Sequence, residues 1–369
     1  MRQQICAEDD MPSFNRVMMD GIAIRYDDWV SGTKSYLIED LQAAGMPQKA
    51  LKTQHACIEV MTGAVLSAGV DTVVPYEDIT IVDGKATINV GEIKKGKNVH
   101  LRGTDRKAGD VLLEPRRMIG TPEIALMASN GVTEVKVTRF PRIAIISTGN
   151  ELVEIDQQPL PHQIRKSNVY ALAAELRRLG ISSSMHHCND DRDSLKAQLT
   201  PIVEAHDVLL LSGGVSMGKF DFVPEVLESL GVTRHFHRIR QKPGKPLWFG
   251  TVAESKVVFA FPGNPVSTFL CFHRYFIPWL QISLGNNHFL QHYAALTDDF
   301  NVNTPLTYFL QVNLYHDNSG RLMAKPVDGK GSGDHANLSS ANAFLELPAG
   351  ESLFKKGEMF KVFPYRGII

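Results

Sequence analysis

The sequence predicts a multidomain protein with a central three-layer α/β domain, a β-rich N-terminal region and a small C-terminal β-barrel. Strand-like and helix-like segments alternate between residues 140 and 284, which is typical of a mostly parallel sheet covered by helices on both faces. Short strands and glycine-containing turns dominate the segments on either side. A chain of 369 residues is long enough for two or three domains.

The N-terminal region reads as short strands joined by tight turns. Residues of high β propensity predict strands at 70–75, 86–90 and 134–137. The dipeptide Asp83-Gly84 between Val82 and Lys85 is the signal of a two-residue hairpin. The apolar spacing over residues 121–130 predicts a helix, which Gly131 ends.

The central region alternates regularly between the two kinds of element. Strands are expected at 143–147, 181–187, 207–211, 233–239 and 257–261, and helices at 169–179, 193–205, 221–230 and 265–280. Asn168 is the candidate N-cap of the first of these helices, and Gly180 its stop.

The C-terminal region returns to an alternating pattern. Tyr308, Leu310, Val312 and Leu314 alternate with more polar residues, and a turn follows at 317–320. Further strands are expected at 343–347 and 360–363. This arrangement fits a small antiparallel barrel or sandwich.

The composition favours neither nucleic acid nor a membrane as partner. Lys and Arg number 39 against 40 Asp and Glu, and the formal net charge is −1, whereas polyanionic partners favour a basic excess. No apolar run reaches the roughly 18–20 residues of a membrane span, and no signal-peptide core is present. The absence of both features predicts a cytoplasmic location. The four cysteines form no Cys-x-x-Cys pair, so we expect neither disulfides nor a zinc site.

Three glycine-rich loops follow predicted strands of the central domain, at residues 147–152, 212–218 and 261–267. Ligands of open α/β sheets bind where strands end and loops begin. Glycines let backbone N–H groups approach a phosphate closely. A single loop of this kind also fits an ordinary tight turn, but three in one domain favour an anion-binding site.

Charged residues near these loops favour the same kind of ligand. The segment Lys242-Pro243-Gly244-Lys245-Pro246 presents two ammonium groups on a constrained turn, which suits phosphate or an oxyanion; the alternative is a solvated surface turn. Carboxylates beside phosphate-binding loops favour Mg²⁺, and the candidates are Glu151, Asp190, Asp191 and Asp221. Asp221 also fits a helix N-cap.

Taken in order, these motifs resemble the molybdopterin molybdenumtransferase family, which includes the C-terminal catalytic domain of gephyrin. The resemblance covers almost the whole chain. It is carried by residues 12–23, 61–64, 102–105, 147–152, 189–191, 212–221, 242–246 and 262–267, and more weakly by 331–333 and 340–342. The central domain alone also resembles the related molybdopterin adenylyltransferases.

The resemblance implies an activity and a set of site residues. The family inserts molybdate into adenylylated molybdopterin with Mg²⁺-dependent release of AMP. Catalytic residues are expected to be Asp20, Thr62, Asp105, Lys242 and Lys245, and metal ligands Glu151, Asp190 and Asp221. The expected substrate-binding residues are Ser212, Gly213, Gly214, Val215, Ser216, Gly263, Asn264, Pro265, Ser267 and Ser332.

The resemblance also implies domains and partners. A linking or dimerisation region at residues 1–26 and 108–139 would carry an inserted β-rich domain at 27–107, followed by the molybdopterin-binding domain at 140–284 and a barrel at 285–369. We expect a homodimer in which Asp20, Thr62 and Asp105 face the central domain of the other subunit. The upstream adenylyltransferase is a further expected partner.

The chain departs from the family pattern at several points. The Pro-x-Phe motif begins at Pro12, whereas relatives usually have a longer preceding segment with a helix. We therefore expect either that the start codon is miscalled or that the dimer is loosened. Asn150 replaces a usual aspartate, and Pro305-Leu306 replaces a frequent Gly-Arg pair. Two alternative functions stay open: a molybdopterin adenylyltransferase, and a non-catalytic molybdopterin-binding carrier or scaffold.

Overall fold

The protein, seen here in a computed structural model, divides into two compact units. The structure describes residues 1–216, 218, 221–253, 255–285, 291–329 and 331–366. The units are Met1–Val137 and Thr138–Ile369. The finer four-part division expected from the sequence stays a prediction. Met217, which belongs to the predicted loop 212–218, lies outside the described residues.

The first unit is rich in short strands. They are β1 (Ile5–Cys6), β2 (Arg16–Val17), β3 (Gly21–Ile24), β4 (Ser35–Gln42), β5 (Ala56–Val60), β6 (Thr72–Pro75), β7 (Ile79–Val82), β8 (Lys85–Ile88), β9 (Val99–His100) and β10 (Val111–Leu113). Its α-helices are α1 (Tyr26–Val30) and α2 (Thr121–Ser129), with a 3₁₀ turn at Tyr76–Asp78.

Six strands of this unit form one sheet in the order β6-β3-β5-β4-β8-β7. Strand β3 is buried on both faces of this sheet, because Ala23 packs into one apolar cluster and its neighbours Ile22 and Ile24 into another. The predicted hairpin is confirmed: Val82 pairs with Lys85, and the two turn residues have φ values of 50° and 73°. The predicted helix ending at Gly131 is confirmed as α2.

The strand predicted at residues 134–137 is wrong. Lys136 bonds the backbone of Arg2 and the side chain of Gln3, but it joins no ladder. Val135 packs instead against the small apolar cluster that contains Met1 and Ile5. The apolar residues that suggested a strand therefore cover a core from an irregular segment.

The second unit contains the alternating region and the C-terminal strands. Its strands are β11 (Ile143–Thr148), β12 (Leu152–Val153), β13 (Ile164–Arg165), β14 (Ser183–Cys188), β15 (Val208–Ser212), β16 (Thr233–His237), β17 (Gln241–Lys242), β18 (Trp248–Val252), β19 (Lys256–Phe261), β20 (His292–Leu296), β21 (Phe300–Asn301), β22 (Thr307–His316), β23 (Leu322–Pro326), β24 (Ala343–Leu347), β25 (Leu353–Phe354) and β26 (Met359–Pro364). Its helices are α3 (Asn168–Arg178), α4 (Arg192–Ala205), α5 (Val223–Ser229), α6 (Pro265–Cys271), α7 (Ile277–Ser283) and α8 (His335–Ser340).

The central sheet has the order β14-β11-β15-β19-β18-β16. The first four strands are parallel, and β18 and β16 are antiparallel to their neighbours. One face packs on α4 and α5 and the other on α3, α6 and α7. The predicted three-layer domain with a mostly parallel sheet is confirmed, and its buried strands explain the continuous apolar runs in the sequence.

Helix boundaries differ from the prediction at two places. The helix expected over 265–280 is α6 and α7 joined by a π-helical turn at Phe272–Phe276, so the apolar pattern alone did not reveal the local change of winding. The helix expected over 221–230 begins only at Val223.

The C-terminal strands close into a barrel. The order is β17-β22-β23-β20-β26-β24, and a further pairing between β22 and β24 completes a ring of five strands. The predicted small barrel is confirmed. Strand β17 joins this sheet through Lys242, which pairs with Tyr308, so the segment with the two lysines is attached to the barrel wall.

Among the described residues, no helix is long and apolar enough to cross a membrane.

An ion pair secures the starts of β11 and β15. Asp207 accepts hydrogen bonds from the Arg142 backbone and guanidinium, both at 2.8 Å, and from Arg139 at 3.2 Å. The Arg142 guanidinium holds the pKa of Asp207 far below its usual value. The stability from charged Asp207 is therefore present above the unfolded pKa and is lost as the pH falls through the folded pKa.

We expect Asp207→Asn to lower the free energy of unfolding at pH 7 by roughly 1–2 kcal/mol, the scale of a charged hydrogen bond after solvent screening. The difference from the wild type should narrow below about pH 4, where the unfolded aspartate protonates. Denaturant titrations across this range measure it. Glu225→Gln, which breaks an exposed pair with Arg192, is the control. A difference that does not change with pH would contradict the role assigned to Asp207.

Candidate active site

Three parallel strands end side by side at one edge of the central sheet. Ser147 of β11 is in register with Ser212 of β15, and Ser212 with Phe261 of β19. Each strand is followed directly by one of the predicted glycine-rich loops. These loops line a cavity of about 1260 Å³, and all of its lining residues belong to the second unit.

Most of the predicted site residues meet in this cavity. It is lined by Glu151, Asp190, Ser212, Gly213, Gly214, Val215, Ser216, Asp221, Lys242, Lys245, Gly263, Asn264, Pro265, Ser267 and Ser332. The roles expected for them stay predictions. Their convergence follows from the sheet, since the ends of parallel strands share one edge.

Close packing makes glycine necessary in the second loop. Gly213 and Gly214 have φ values of 107° and 68°, which L-residues rarely adopt. A Cβ atom on Gly213 would lie 2.7 Å from the Thr148 carbonyl oxygen, and one on Gly214 would lie 2.5 Å from Val223. The loop therefore fits against the end of β11 only without side chains at these two positions.

The three candidate metal ligands influence each other electrostatically. Burial raises the pKa of Asp190, the charges of Glu151 and Asp221 raise it further, and a backbone hydrogen bond with Asn150 opposes the rise. A cation would relieve this repulsion. Asp221 accepts a hydrogen bond from the Gly218 N–H at 2.6 Å, so its carboxylate holds its own loop rather than capping α5.

The structure supplies only part of a metal site. Within the described ranges, no group of three or more His, Cys, Asp or Glu side chains is arranged to hold a metal ion. Mg²⁺ is usually held by one or two carboxylates with waters and substrate phosphate, so Asp190 and Asp221 fit a cation that arrives with an anionic ligand. Asp191 serves a different purpose, because its carboxylate caps α4 through the Ser194 N–H at 2.9 Å.

The two lysines project from a turn that is held from inside. Lys242 and Lys245 are exposed, and neither forms an ion pair within the described part of the chain. The buried Gln241 donates to the Pro243 carbonyl oxygen at 2.9 Å and accepts from the Tyr275 hydroxyl. This support keeps two unpaired cations at the cavity wall. Sequence reasoning missed Gln241, since nothing local distinguishes it.

The structure also corrects the N-cap predicted for α3. Asn168 is the first helical residue, and its side-chain amide donates to Ser212 and to the Gly263 carbonyl oxygen. A second missed residue is Lys166, which lines the cavity, is only 7% exposed and bonds Glu154 at 2.5 Å. Its position beside a loop gave no sign that the ammonium group is buried.

Three family models match the chain in sequence order. The MoeA N-terminal region (domains I and II) matches residues 1–131, a probable molybdopterin binding domain matches 144–282, and the MoeA C-terminal region (domain IV) matches 293–365. A molybdopterin molybdenumtransferase from Synechocystis is 40% identical over 99% of this chain and 92% of its own length. The chain belongs to the molybdopterin molybdenumtransferase family.

Further relatives agree with this membership. A molybdopterin molybdenumtransferase from Staphylococcus epidermidis is 31% identical over 98% of this chain and 87% of its own length. The solved structure of a molybdopterin biosynthesis MoeA protein from Pyrococcus horikosii superposes with a TM-score of 0.82 and 29% identity, covering 99% of this chain and 91% of that one. The resemblance inferred from the sequence motifs is confirmed.

Three residues expected at the family's catalytic site lie in the first unit. Asp20 Oδ1 accepts from the Thr62 N–H at 2.6 Å and from the Thr62 hydroxyl at 2.7 Å, and these bonds lower the pKa of Asp20. Asp105 bonds His100 at 2.9 Å instead. The structure therefore pairs Asp20 with Thr62 and gives Asp105 a different partner.

One departure from the family pattern falls in the cavity itself. Leu306 is among its lining residues, at the position where the resemblance leads us to expect an arginine. Leu306 is apolar and therefore offers no charge to an anionic ligand, whereas Lys242 and Lys245 line the same cavity as exposed cations.

Proposed function

We propose that this protein inserts molybdate into adenylylated molybdopterin, with Mg²⁺-dependent release of AMP, in molybdenum cofactor biosynthesis. It is then a transferase, as its curated relatives are named. The observation that supports the proposal most is the single cavity that brings together three glycine-rich loops, two exposed lysines and three carboxylates.

Neutral donors, cations and carboxylates of the cavity bind different parts of the substrate. The loop at 212–216 offers backbone N–H groups and small hydroxyls to the pterin ligand. Lys242, Lys245 and Ser267 offer donors to molybdate or phosphate oxygens. Glu151, Asp190 and Asp221 are the candidate ligands of Mg²⁺, and waters and the substrate phosphate would complete its coordination. When bound, Mg²⁺ would neutralise charge on the phosphate that leaves as AMP.

The expected partners follow from this chemistry. The substrate is adenylylated molybdopterin, so an adenylyltransferase acts immediately upstream and is a candidate partner. The proposed location is the cytoplasm. The reaction requires neither nucleic acid nor a membrane as a partner. The protein acts as a homodimer in which Asp20, Thr62 and Asp105 of one subunit complete the cavity of the other.

Replacing a candidate metal ligand should slow hydrolysis of the adenylate without unfolding the protein. We expect purified wild-type protein to release AMP from adenylylated molybdopterin in a magnesium-dependent manner. Asp190→Asn and Asp221→Asn should slow this step by about 10²–10³, the scale for loss of one charge-stabilising group, and raise the Mg²⁺ requirement. Rates across a magnesium titration measure both effects.

Asp191→Asn is the matched control, because asparagine also caps a helix; its rate should match the wild type. Wild-type hydrolysis in both test variants would make these carboxylates structural. Binding of the nucleotide by wild-type protein without AMP release would indicate a carrier, and ATP-dependent adenylylation would indicate an adenylyltransferase. Either result would overturn the proposed function.

Replacing the lysines should affect molybdate more than the pterin. Lys242→Met and Lys245→Met keep the apolar stem and remove the charge. We expect the molybdate concentration for half-maximal cofactor formation to rise at least about tenfold, as a loss of about 1.4 kcal/mol implies. Binding of the adenylated pterin should change less.

Lys355→Met is the control for surface charge, since Lys355 pairs with Asp299 beside the C-terminal strands β21 and β25 and does not line the cavity. Normal molybdate dependence with weakened pterin nucleotide binding would make the two lysines phosphate ligands. The oxyanion site would then have to lie elsewhere, for example around Ser267 and Ser332.

A site shared between subunits predicts complementation. Asp20→Ala and Asp190→Asn should each be nearly inactive alone. In a two-fold symmetric heterodimer, one of the two shared sites receives both intact residues, so an exchanged mixture should recover about a quarter of wild-type activity. Light scattering confirms the oligomeric state. A fully active monomer, or a mixture as inactive as its components, would contradict the shared site.

A further inference from the structure

One side-chain amide joins two of the three cavity loops. Asn168 Nδ2 lies 2.8 Å from Ser212 Oγ and 2.8 Å from the Gly263 carbonyl oxygen. It also lies 3.2 Å from Thr268 Oγ1. Asn168 thus connects the start of α3 to the ends of β15 and β19.

The orientation of this amide is fixed by chemistry. A carbonyl oxygen only accepts hydrogen bonds, so the atom of Asn168 that faces Gly263 must be the nitrogen. The same nitrogen faces Ser212, and the Ser212 oxygen therefore accepts from Asn168. The Ser212 hydroxyl hydrogen is left to find another acceptor.

The Thr268 hydroxyl does not donate to Ser212, and it is a poor acceptor for the Ser212 hydroxyl. Its hydroxyl lies 2.5 Å from the Pro262 carbonyl oxygen and 3.2 Å from that of Asn264, so its one hydrogen is used on a carbonyl. Its oxygen lies 3.4 Å from Ser212 Oγ, which is long for a hydroxyl pair. Within the described residues, this weak contact is the only other hydrogen bond of the Ser212 side chain.

Ser212 is nevertheless placed where a ligand would meet it. It is 3% exposed, it is the last residue of β15, and it lines the cavity together with Asn168. A buried donor with a poor partner gains most from a charged acceptor.

We propose that Asn168 is a positioning residue that fixes the direction of the Ser212 hydrogen bond, so that the Ser212 hydroxyl donates to an anionic oxygen of the bound ligand. This inference rests on the proposed function, since the ligand is taken to be the adenylated pterin. Asn168 acts on the ligand through Ser212, whose oxygen accepts its hydrogen bond.

A double-mutant cycle tests the coupling. Binding of adenylylated molybdopterin is measured by calorimetry for wild type, Asn168→Ala, Ser212→Ala and the double variant. We expect Asn168→Ala to weaken binding about tenfold, or about 1.4 kcal/mol, and Ser212→Ala at least as much. The double variant should be no weaker than Ser212→Ala, because the amide has nothing left to orient.

Two further readouts separate positioning from general packing. The molybdate concentration for half-maximal turnover should stay at the wild-type value in Asn168→Ala.

Asn342→Ala is the matched control. The Asn342 amide also donates to a backbone carbonyl oxygen, that of Leu314 at 3.0 Å, but Asn342 does not line the cavity. Its replacement should therefore leave pterin binding unchanged. Thermal unfolding is recorded for all variants, and Asn168→Ser replaces Asn168→Ala if the latter does not fold.

The outcomes are distinct. Wild-type binding in Asn168→Ala, or losses that multiply in the double variant, would overturn the role of Asn168 and leave the proposed function standing. Failure of the wild-type protein to bind adenylylated molybdopterin would overturn the proposed function and this inference with it.

Discussion

The register between β11, β15 and β19 is the constraint on which the cavity depends. Because Ser147, Ser212 and Phe261 stand opposite one another, three loops that are far apart in sequence begin at the same height on one edge. A shift of one residue in either pairing would turn alternate side chains to the wrong face and move one loop relative to the others. The buried apolar residues on both faces of the sheet make such a shift costly.

The loops that follow these aligned strand ends form the surface of the cavity. Gly213 and Gly214 pack directly on the end of β11, and Asn168 ties the neighbouring loop to Ser212. Opposite charges line the cavity that results, with the carboxylates Asp190 and Asp221 and the lysines Lys242 and Lys245. This combination suits a ligand that carries both anionic oxygens and a metal ion.

Local patterns were enough to predict the parts of the fold that local physics decides. The apolar runs of β11, β15 and β19, the hairpin at Asp83-Gly84 and the glycine-rich loops could all be read from neighbouring residues. The local pattern predicts Asn168 as a helix cap, because it directly precedes the apolar helical residues. Its partners in the structure, Ser212 and Gly263, are distant in sequence and leave no local signal. The burial of Lys166 and Gln241 and the irregular path of 134–137 likewise depend on tertiary contacts, which a one-dimensional pattern does not contain.

Hydrogen exchange of the protein with and without adenylylated molybdopterin shows whether this cavity is where the substrate binds. Backbone N–H groups that donate to a ligand exchange more slowly when it is bound. We expect slower exchange in the loops at 149–152, 212–216 and 262–267 when the ligand is bound. Protection confined to other segments, or none at saturating ligand, would contradict binding in this cavity.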